Sequence, residues 1–247
     1  MKDRLKTAIQ LALEDTNKNS IGMQSEKSTH KILKYYIDNN KDNHEVRLSH
    51  CSYIIDVYKD GICYEIQTKD FENIKGKLEI LLRNGEKVQV VYPVVNNKVI
   101  HWLNSDNQLD SKSKSTKKMT PSWVLFELYR LPVEILENRN LSIRIIELDE
   151  VELKYNDGFG PNGRNKATKI DRFPTSINNE VYINDKNDYI KLIPSQLLEV
   201  EIDSKLFAKV TKQRINDARI SLLVLYRLGV LDRYRDGRNG FKYRVKS

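Results

Sequence analysis

The sequence contains few cysteines, the residues that stabilise small proteins through disulfide bonds or zinc sites. Cys51 and Cys63 are its two cysteines, too few for a disulfide framework or a cysteine zinc cluster, and typical of a reducing cytosol. No apolar run approaches the length that spans a membrane. The apolar stretch near the N-terminus is broken by Gln10 and Glu14, unlike a signal peptide. We therefore expect a soluble, cytoplasmic protein without a membrane partner, long enough for one large domain or two smaller ones.

Positive charge is concentrated at the C-terminal end. The formal net charge is +8, and residues 201–247 contain twelve Lys and Arg against five Asp and Glu. A basic terminal segment favours a polyanionic partner, most simply nucleic acid. The alternative is a charged surface that only keeps the protein soluble.

Residues 53–69 are predicted to form a β-hairpin. Asp60-Gly61 separates two β-prone runs, and these residues tolerate the positive φ that a two-residue type I′ turn requires. The turn fixes the register of the two strands. The predicted pairs are Lys59 with Ile62, Tyr58 with Cys63, Val57 with Tyr64, and Asp56 with Glu65.

Strand alternation places polar residues on one face of this hairpin. Glu65, Gln67 and Lys69 share a face with Asp56, while apolar side chains form an ordinary core on the other. Opposed carboxylates destabilise a sheet unless a cation lies between them or one is protonated. Hard oxygen donors at this spacing suit Mg²⁺ or Mn²⁺. The competing interpretation is a hairpin whose acidic face is simply solvated.

Asp56, the hairpin, and then Glu65-Ile66-Gln67 resemble the active site of the PD-(D/E)XK nucleases, the restriction-endonuclease-like superfamily. The surrounding pattern agrees with that superfamily's α-β-β-α-β core. Apolar residues recur at helical spacing between Phe71 and Leu82, and a strongly apolar strand follows at 88–95. Pro93 favours an edge position or the end of that strand.

The resemblance implies a set of catalytic residues and a cofactor. It assigns Asp56 and Glu65 to Mg²⁺ or Mn²⁺ binding. Glu26 extends the site from a preceding helix predicted over residues 25–38. Gln67 occupies the position of the usual lysine, and Lys69 lies on the same face, so either Gln67 or Lys69 orients the attacking water.

The middle of the chain is predicted to be less regular. Residues 105–120 have no apolar period and are expected to form a linker or exposed loop. Residues 121–185 form a connecting region, with helix in 123–137 and strand character in 141–155. Within it, the glycine-rich stretch 156–173 could meet phosphates through its amides and cations, or it is only a mobile surface loop. Its cations are Arg164, Lys166, Lys169 and Arg172.

The last part of the chain has the pattern of two helices and a β-hairpin. One helix runs through Val210, a second ends at Gly229, and strands follow at 231–235 and 241–245. This order resembles a winged helix-turn-helix, completed by a helix near 189–198. The resemblance implies DNA contacts from the second helix and the hairpin; binding to protein is the alternative. The predicted DNA-binding residues are Lys212, Arg214 and Arg219 near the helix start, and Arg233, Arg235, Arg238 and Lys242 on the hairpin.

Together these features predict a metal-dependent endonuclease acting on double-stranded DNA. The expected layout is a nuclease-like core over residues 1–104 and a winged helix over 186–247, similar to the restriction-like subunit of heteromeric transposases. Cutting both strands with one active site per chain would suggest a homodimer. The alternatives are a DNA-binding regulator whose nuclease-like fold does not cut and a subunit that acts only with a partner.

Overall fold

The computed structural model describes residues 1–18, 28–155, 167–237 and 240–246, which form a mixed α/β protein with helices flanking a mixed sheet. No helix in these ranges is long and apolar enough to cross a membrane. The α-helices are α1 (Lys2–Lys18), α2 (Ser28–Ile37), α3 (Glu72–Arg83), α4 (Val124–Leu128), α5 (Val133–Leu136), α6 (Ser204–Thr211) and α7 (Ile215–Arg227). The strands are β1 (His44–Arg47), β2 (Ile54–Lys59), β3 (Ile62–Ile66), β4 (Lys87–Leu103), β5 (Leu109–Lys114), β6 (Leu141–Tyr155), β7 (Thr168–Ile183), β8 (Leu231–Arg235) and β9 (Phe241–Val245).

The main sheet has seven strands. Its order is β1-β2-β3-β4-β6-β7, and β5 pairs with β4 outside this path. Strands β2 and β3 are antiparallel, whereas β3 and β4 are parallel and are joined through α3. The predicted α/β class and the crossover helix are therefore confirmed.

The predicted hairpin is confirmed in detail. Asp60 and Gly61 have φ values of 51° and 74°, so both central residues adopt the positive φ of a type I′ turn. Val57 pairs with Tyr64, Tyr58 with Cys63 and Lys59 with Ile62. Continued outward, this register sets Asp56 opposite Glu65.

Strand β4 differs from the prediction at Pro93. The strand neither ends there nor lies at the sheet edge; it is 17 residues long, runs on to Leu103 and has neighbours on both sides. The carbonyl of Val91 accepts a hydrogen bond from the Gln67 amide on the β3 side, and Pro93, two residues on, faces the same side. Strand β3 ends at Ile66, so the missing N–H of Pro93 falls where no β3 residue needs it.

Two segments predicted as loops contain strand. Leu109–Lys114 pairs with β4, although all six of its residues are exposed, which explains why no apolar period marks it. Strand β7 begins at Thr168, so Lys169 and Arg172 lie on a strand rather than in the predicted basic loop. The main sheet thus extends well past residue 104, because β6 and β7 lie in the region predicted as connecting.

The contacts divide the chain into two compact units. The first consists of Met1–His44, Val95–Lys118 and Glu147–Asn179. In it α1 packs on α2, and the Arg4 guanidinium donates to the Ile37 carbonyl at 3.1 Å. The second consists of Glu45–Val94, Met119–Ile146 and Glu180–Ser247.

One apolar core runs through the whole second unit. It includes Ile55 of β2, Val90 of β4 and Leu125 of α4 together with Phe207 of α6 and Leu222 of α7. All five are buried. The C-terminal helices therefore share a core with the hairpin and its neighbours rather than forming a core of their own.

The C-terminal segment follows the predicted order with one difference. Asp203 caps α6 by accepting a hydrogen bond from the Leu206 amide at 2.8 Å, and β8 and β9 have the predicted bounds. The helix expected near 189–198 is replaced by two 3₁₀ turns, because Pro194 interrupts the segment. Helix α4 packs against α7 instead.

The shared core predicts that a cavity in α7 weakens the hairpin as well. Leu222→Ala should lower the free energy of unfolding by about 2–5 kcal/mol and should speed amide hydrogen exchange in both α7 and β3. Denaturant unfolding and exchange by mass spectrometry measure these effects. Leu109→Ala is the matched control, because Leu109 is 49% exposed. Faster exchange in α7 with unchanged exchange in β3 would contradict the shared core.

Candidate functional site

The two carboxylates of the hairpin occupy very different environments. Asp56 is half-buried on β2, and its Oδ2 accepts a hydrogen bond from the Ile66 amide at 2.8 Å. Glu65 on β3 is only 3% exposed. It shares its face with the fully buried Cys63. The interpretation of a solvated acidic face is therefore wrong, because this face of β3 is covered.

Lys77 of α3 completes this cluster. Its ammonium lies 2.5 Å from Glu65 Oε2 and donates to the Ile54 carbonyl, also at 2.5 Å. The lysine side chain is itself largely buried. Glu65 Oε1 is buried as well and has no hydrogen-bond partner among the residues that the structure describes.

The environment of Glu65 favours its protonated form. Burial is the main cause, and the neighbouring Asp56 charge adds to it, while Lys77 opposes both. Together they raise the pKa of the Glu65 carboxyl to about 7. Near neutral pH a cation that binds Glu65 must therefore displace a proton from a fraction of the molecules.

The other predicted catalytic residues are placed less favourably. The Gln67 side-chain amide donates to the carbonyls of Lys69 and Asp70 at 2.5 and 3.0 Å, so it closes the turn after β3. Lys69 is exposed beyond the end of that strand. Glu26 lies outside the described residues.

The donor set suits a hard cation but is small. Within the described ranges, no group of three or more His, Cys, Asp or Glu side chains could hold a metal. Asp56 and Glu65 supply two carboxylates on adjacent strands, and Glu65 Oε1 is a buried acceptor without a donor in the part of the chain that the structure describes. Oxygen ligands of this kind fit Mg²⁺ or Mn²⁺, whose remaining positions are usually filled by water and substrate phosphate.

The predicted C-terminal cations fall into two groups. Lys212, Arg214, Arg219 and Arg235 are exposed, whereas Lys242 is ion-paired with Glu201 and Asp203 at 3.2 and 3.4 Å. Arg233 is half-buried, with its guanidinium 4.3 Å from the ring centres of both Tyr226 and Phe241. Arg238 lies outside the described residues.

Two of the cations predicted in the glycine-rich stretch, Lys169 and Arg172, lie next to buried glutamates. Lys169 forms an ion pair with Glu152, and the Arg172 guanidinium lies 3.9 Å from Glu150. Both glutamates are almost fully buried on β6, and Lys98 of β4 lies within 3.5 Å of each. Burial alone would raise the pKa of Glu152, but the surrounding lysines hold it below its usual value. Arg164 and Lys166 lie outside the described residues.

The sequence contains a signal for Lys77, which the predicted site did not include. Ile74, Leu78 and Leu81 are buried on α3. Lys77 lies three residues after Ile74 and four residues before Leu81. This spacing places Lys77 beside the buried stripe of the helix. A lysine at such a position can pair with a buried acid, and here Glu65 is its partner.

Residues 27–184 match the family described as "Domain of unknown function (DUF8091)". The chain belongs to this family, and the matched region contains the hairpin with Asp56 and Glu65 as well as Lys77. No curated protein and no solved structure matches the sequence.

The raised pKa of Glu65 predicts a pH-dependent loss of stability. Between about pH 4.5, the ordinary pKa, and about pH 7, the folded chain retains a proton that the unfolded chain has released. The free energy of unfolding should therefore fall as pH rises through this window and then level off. Glu65→Gln removes this titration. Between about pH 5 and 8, the free energy of unfolding of the variant should therefore decrease less than that of the natural protein, and the difference should be on the order of 1–3 kcal/mol.

Urea unfolding across this pH range in EDTA measures the effect. Glu134→Gln on α5 is the control, because Glu134 is exposed, and it should follow the natural protein. The same pH dependence in Glu65→Gln and the natural protein would show that Glu65 titrates normally.

Proposed function

We propose that the chain is a Mg²⁺- or Mn²⁺-dependent endonuclease that hydrolyses phosphodiester bonds in DNA. The proposed catalytic core is restriction-endonuclease-like, and the proposed DNA-binding domain is a C-terminal winged helix. The order of α2, β2, β3, α3 and β4 supports the first assignment. The order of α6, α7, β8 and β9 supports the second.

The observation that carries the proposal is the buried Oε1 of Glu65, which has no hydrogen-bond partner among the described residues. A buried carboxylate oxygen without a donor destabilises the folded chain. The nearby Asp56 charge increases that penalty. A divalent cation held by Asp56 and Glu65 would relieve both effects, which favours a metal site over a purely structural role.

The surrounding residues have distinct roles in this proposal. Asp56 and Glu65 hold the cation, which supplies Lewis-acid stabilisation of the phosphate when bound. Lys77 fixes a positive charge beside Glu65 and stabilises negative charge that develops on the phosphate. Gln67 or Lys69 would orient the attacking water, as the resemblance implies; for Gln67 this requires its amide to leave the backbone carbonyls to which it donates. The resemblance to PD-(D/E)XK nucleases implies a 5′-phosphate and a 3′-hydroxyl as products.

The exposed C-terminal cations would hold the DNA. Lys212, Arg214, Arg219 and Arg235 present charge to solvent on α7, its preceding turn and β8. Phosphate contacts by such side chains release counterions and make binding salt-dependent. Cutting both strands would still suggest two copies of the chain.

A DNA-binding regulator that does not cut is the second candidate. One observation favours it: Lys77 already lies against Glu65 and neutralises part of its charge without a metal. In that case the cluster would be a structural ion pair, and the chain would bind DNA without hydrolysing it. A partner-dependent subunit would give the same result in isolation.

Cleavage of supercoiled plasmid distinguishes these candidates. With Mg²⁺ or Mn²⁺ we expect nicked or linear product that EDTA abolishes. Asp56→Asn and Glu65→Gln should each reduce the rate by at least about 100-fold, because each removes a ligand of the cation. Asp56→Asn should bind DNA as well as before or more tightly, because a negative charge near the phosphate is lost.

Lys77→Ala tests the lysine separately. It should slow cleavage by about 100-fold or more, while Lys75→Ala, which removes a half-exposed lysine of the same helix, should leave the rate nearly unchanged. DNA binding without cleavage in either metal, on several differently methylated DNAs, would favour the regulator. Undiminished cleavage by Asp56→Asn would exclude the hairpin as the active site.

The exposed and ion-paired cations should also differ in their contribution to DNA binding. Lys212→Ala should lower the slope of log affinity against log salt by about one. Lys242→Ala should change it much less, because its charge is already balanced by Glu201 and Asp203. Fluorescence anisotropy of a labelled duplex at several salt concentrations measures both. Equal changes in slope would contradict the distinction.

A further inference from the structure

A cavity lies between the start of α6, the middle of α7 and the β8–β9 hairpin. Its volume is about 570 Å³, within the range of sites that hold small organic ligands. Leu222 and Leu223 of α7 supply an apolar wall. Most of the remaining lining is aromatic or charged, which is unlike a packing defect in an apolar core.

An aromatic–guanidinium stack forms one side of the cavity. Arg233 lies between the rings of Tyr226 and Phe241, with its guanidinium 4.3 Å from each ring centre. Phe241 lines the cavity and remains 48% exposed although Arg233 covers one face. The exposed part of the ring is therefore available to a planar group that stacks on it.

Two lysines and two arginines line the same cavity. Lys242 is balanced by Glu201 and Asp203, and Arg233 is held in the stack. Lys205 and Arg219 are exposed and form no ion pair within the described part of the chain. Their charges are thus available to an anionic ligand.

The cavity also has two carboxylates, which limit the ligands it suits. Asp203 is occupied by the Leu206 amide and by Lys242. Asp236, in the turn after β8, remains as an acceptor for N–H or O–H groups. A simple polyanion has no such donors, whereas the base and sugar of a nucleotide have both kinds.

We propose that this cavity binds a nucleotide. The base stacks on Phe241, Lys205 and Arg219 bind the phosphate, and Asp236 accepts a hydrogen bond from the base or sugar. The ligand is either a free nucleotide or an unpaired nucleotide of a DNA strand. Bases within a duplex are stacked on each other and cannot enter. The site is separate from Asp56 and Glu65 and does not require that the chain cut DNA.

Fluorescence of 2-aminopurine tests the proposal on the full chain in EDTA, where no metal-dependent cleavage occurs. The probes are 2-aminopurine deoxyriboside 5′-monophosphate, an oligonucleotide with 2-aminopurine in a single-stranded overhang, and the same base inside a blunt duplex. We expect saturable quenching of the monophosphate, the overhang, or both, with little change for the duplex. Quenching of the monophosphate alone identifies a free nucleotide as the ligand, and quenching of the overhang alone identifies a strand end.

Matched variants separate the stack from the phosphate contacts. Phe241→Leu should weaken binding by about tenfold and abolish quenching, and Phe241→Tyr should retain both. Lys205→Gln should weaken binding of the monophosphate but not of the nucleoside without phosphate. Lys209→Gln, one turn further along α6 and also exposed, should change neither. Circular dichroism verifies that each variant is folded.

Three results would overturn the proposal. They are no quenching with the monophosphate or the overhang, quenching that persists in Phe241→Leu, and equal effects of Lys205→Gln and Lys209→Gln. Each can occur whether or not the plasmid assay shows cleavage, so this inference and the proposed nuclease activity fail independently.

Discussion

The buried ion pair between Glu65 and Lys77 is the constraint on which the candidate site depends. Removing both charges from water is unfavourable, and their attraction offsets that penalty only when geometry and additional hydrogen bonds are good. Lys77 meets this condition through the Ile54 carbonyl, but Glu65 does not, since one of its oxygens lacks a donor within the described chain. An apolar pair would be the simpler solution at this position. Without a metal, the raised pKa of Glu65 allows a proton to supply the missing positive charge; in the proposed function a divalent cation would take its place.

Local chemistry made the hairpin and its register predictable from the sequence. The Asp60-Gly61 turn accepts positive φ at both positions, and strand alternation then determines which side chains share a face. Burial was not predictable in the same way. Whether Asp56 and Glu65 face water depends on α3, whose contacts are distant in sequence. The solvated alternative is wrong for Glu65, because Lys77 of α3 lies against its buried carboxyl.

The errors elsewhere also have physical causes. Pro93 predicts an edge only when its missing N–H would face a neighbouring strand, and here β3 has already ended. All residues of strand β5 are exposed, and the strand pairs with β4 through its backbone. Its sequence therefore does not show the alternation of apolar and polar residues that would predict a strand. Lys169 and Arg172 appeared available to phosphates because the sequence pattern did not bring Glu150 and Glu152 next to them. Each case depends on a partner whose proximity only the fold establishes.

The shared core of the second unit sets a limit on how this chain can be divided. The family match ends at residue 184, yet buried side chains that complete the core lie beyond it, from Tyr189 to Tyr243. A recombinant fragment that stops at the end of the matched region would leave the apolar surfaces of α4 and the sheet uncovered in water. Such a fragment should associate or aggregate instead of folding as a soluble monomer. For this chain, the segment that matches the family and the segment that completes the apolar core are different lengths of sequence.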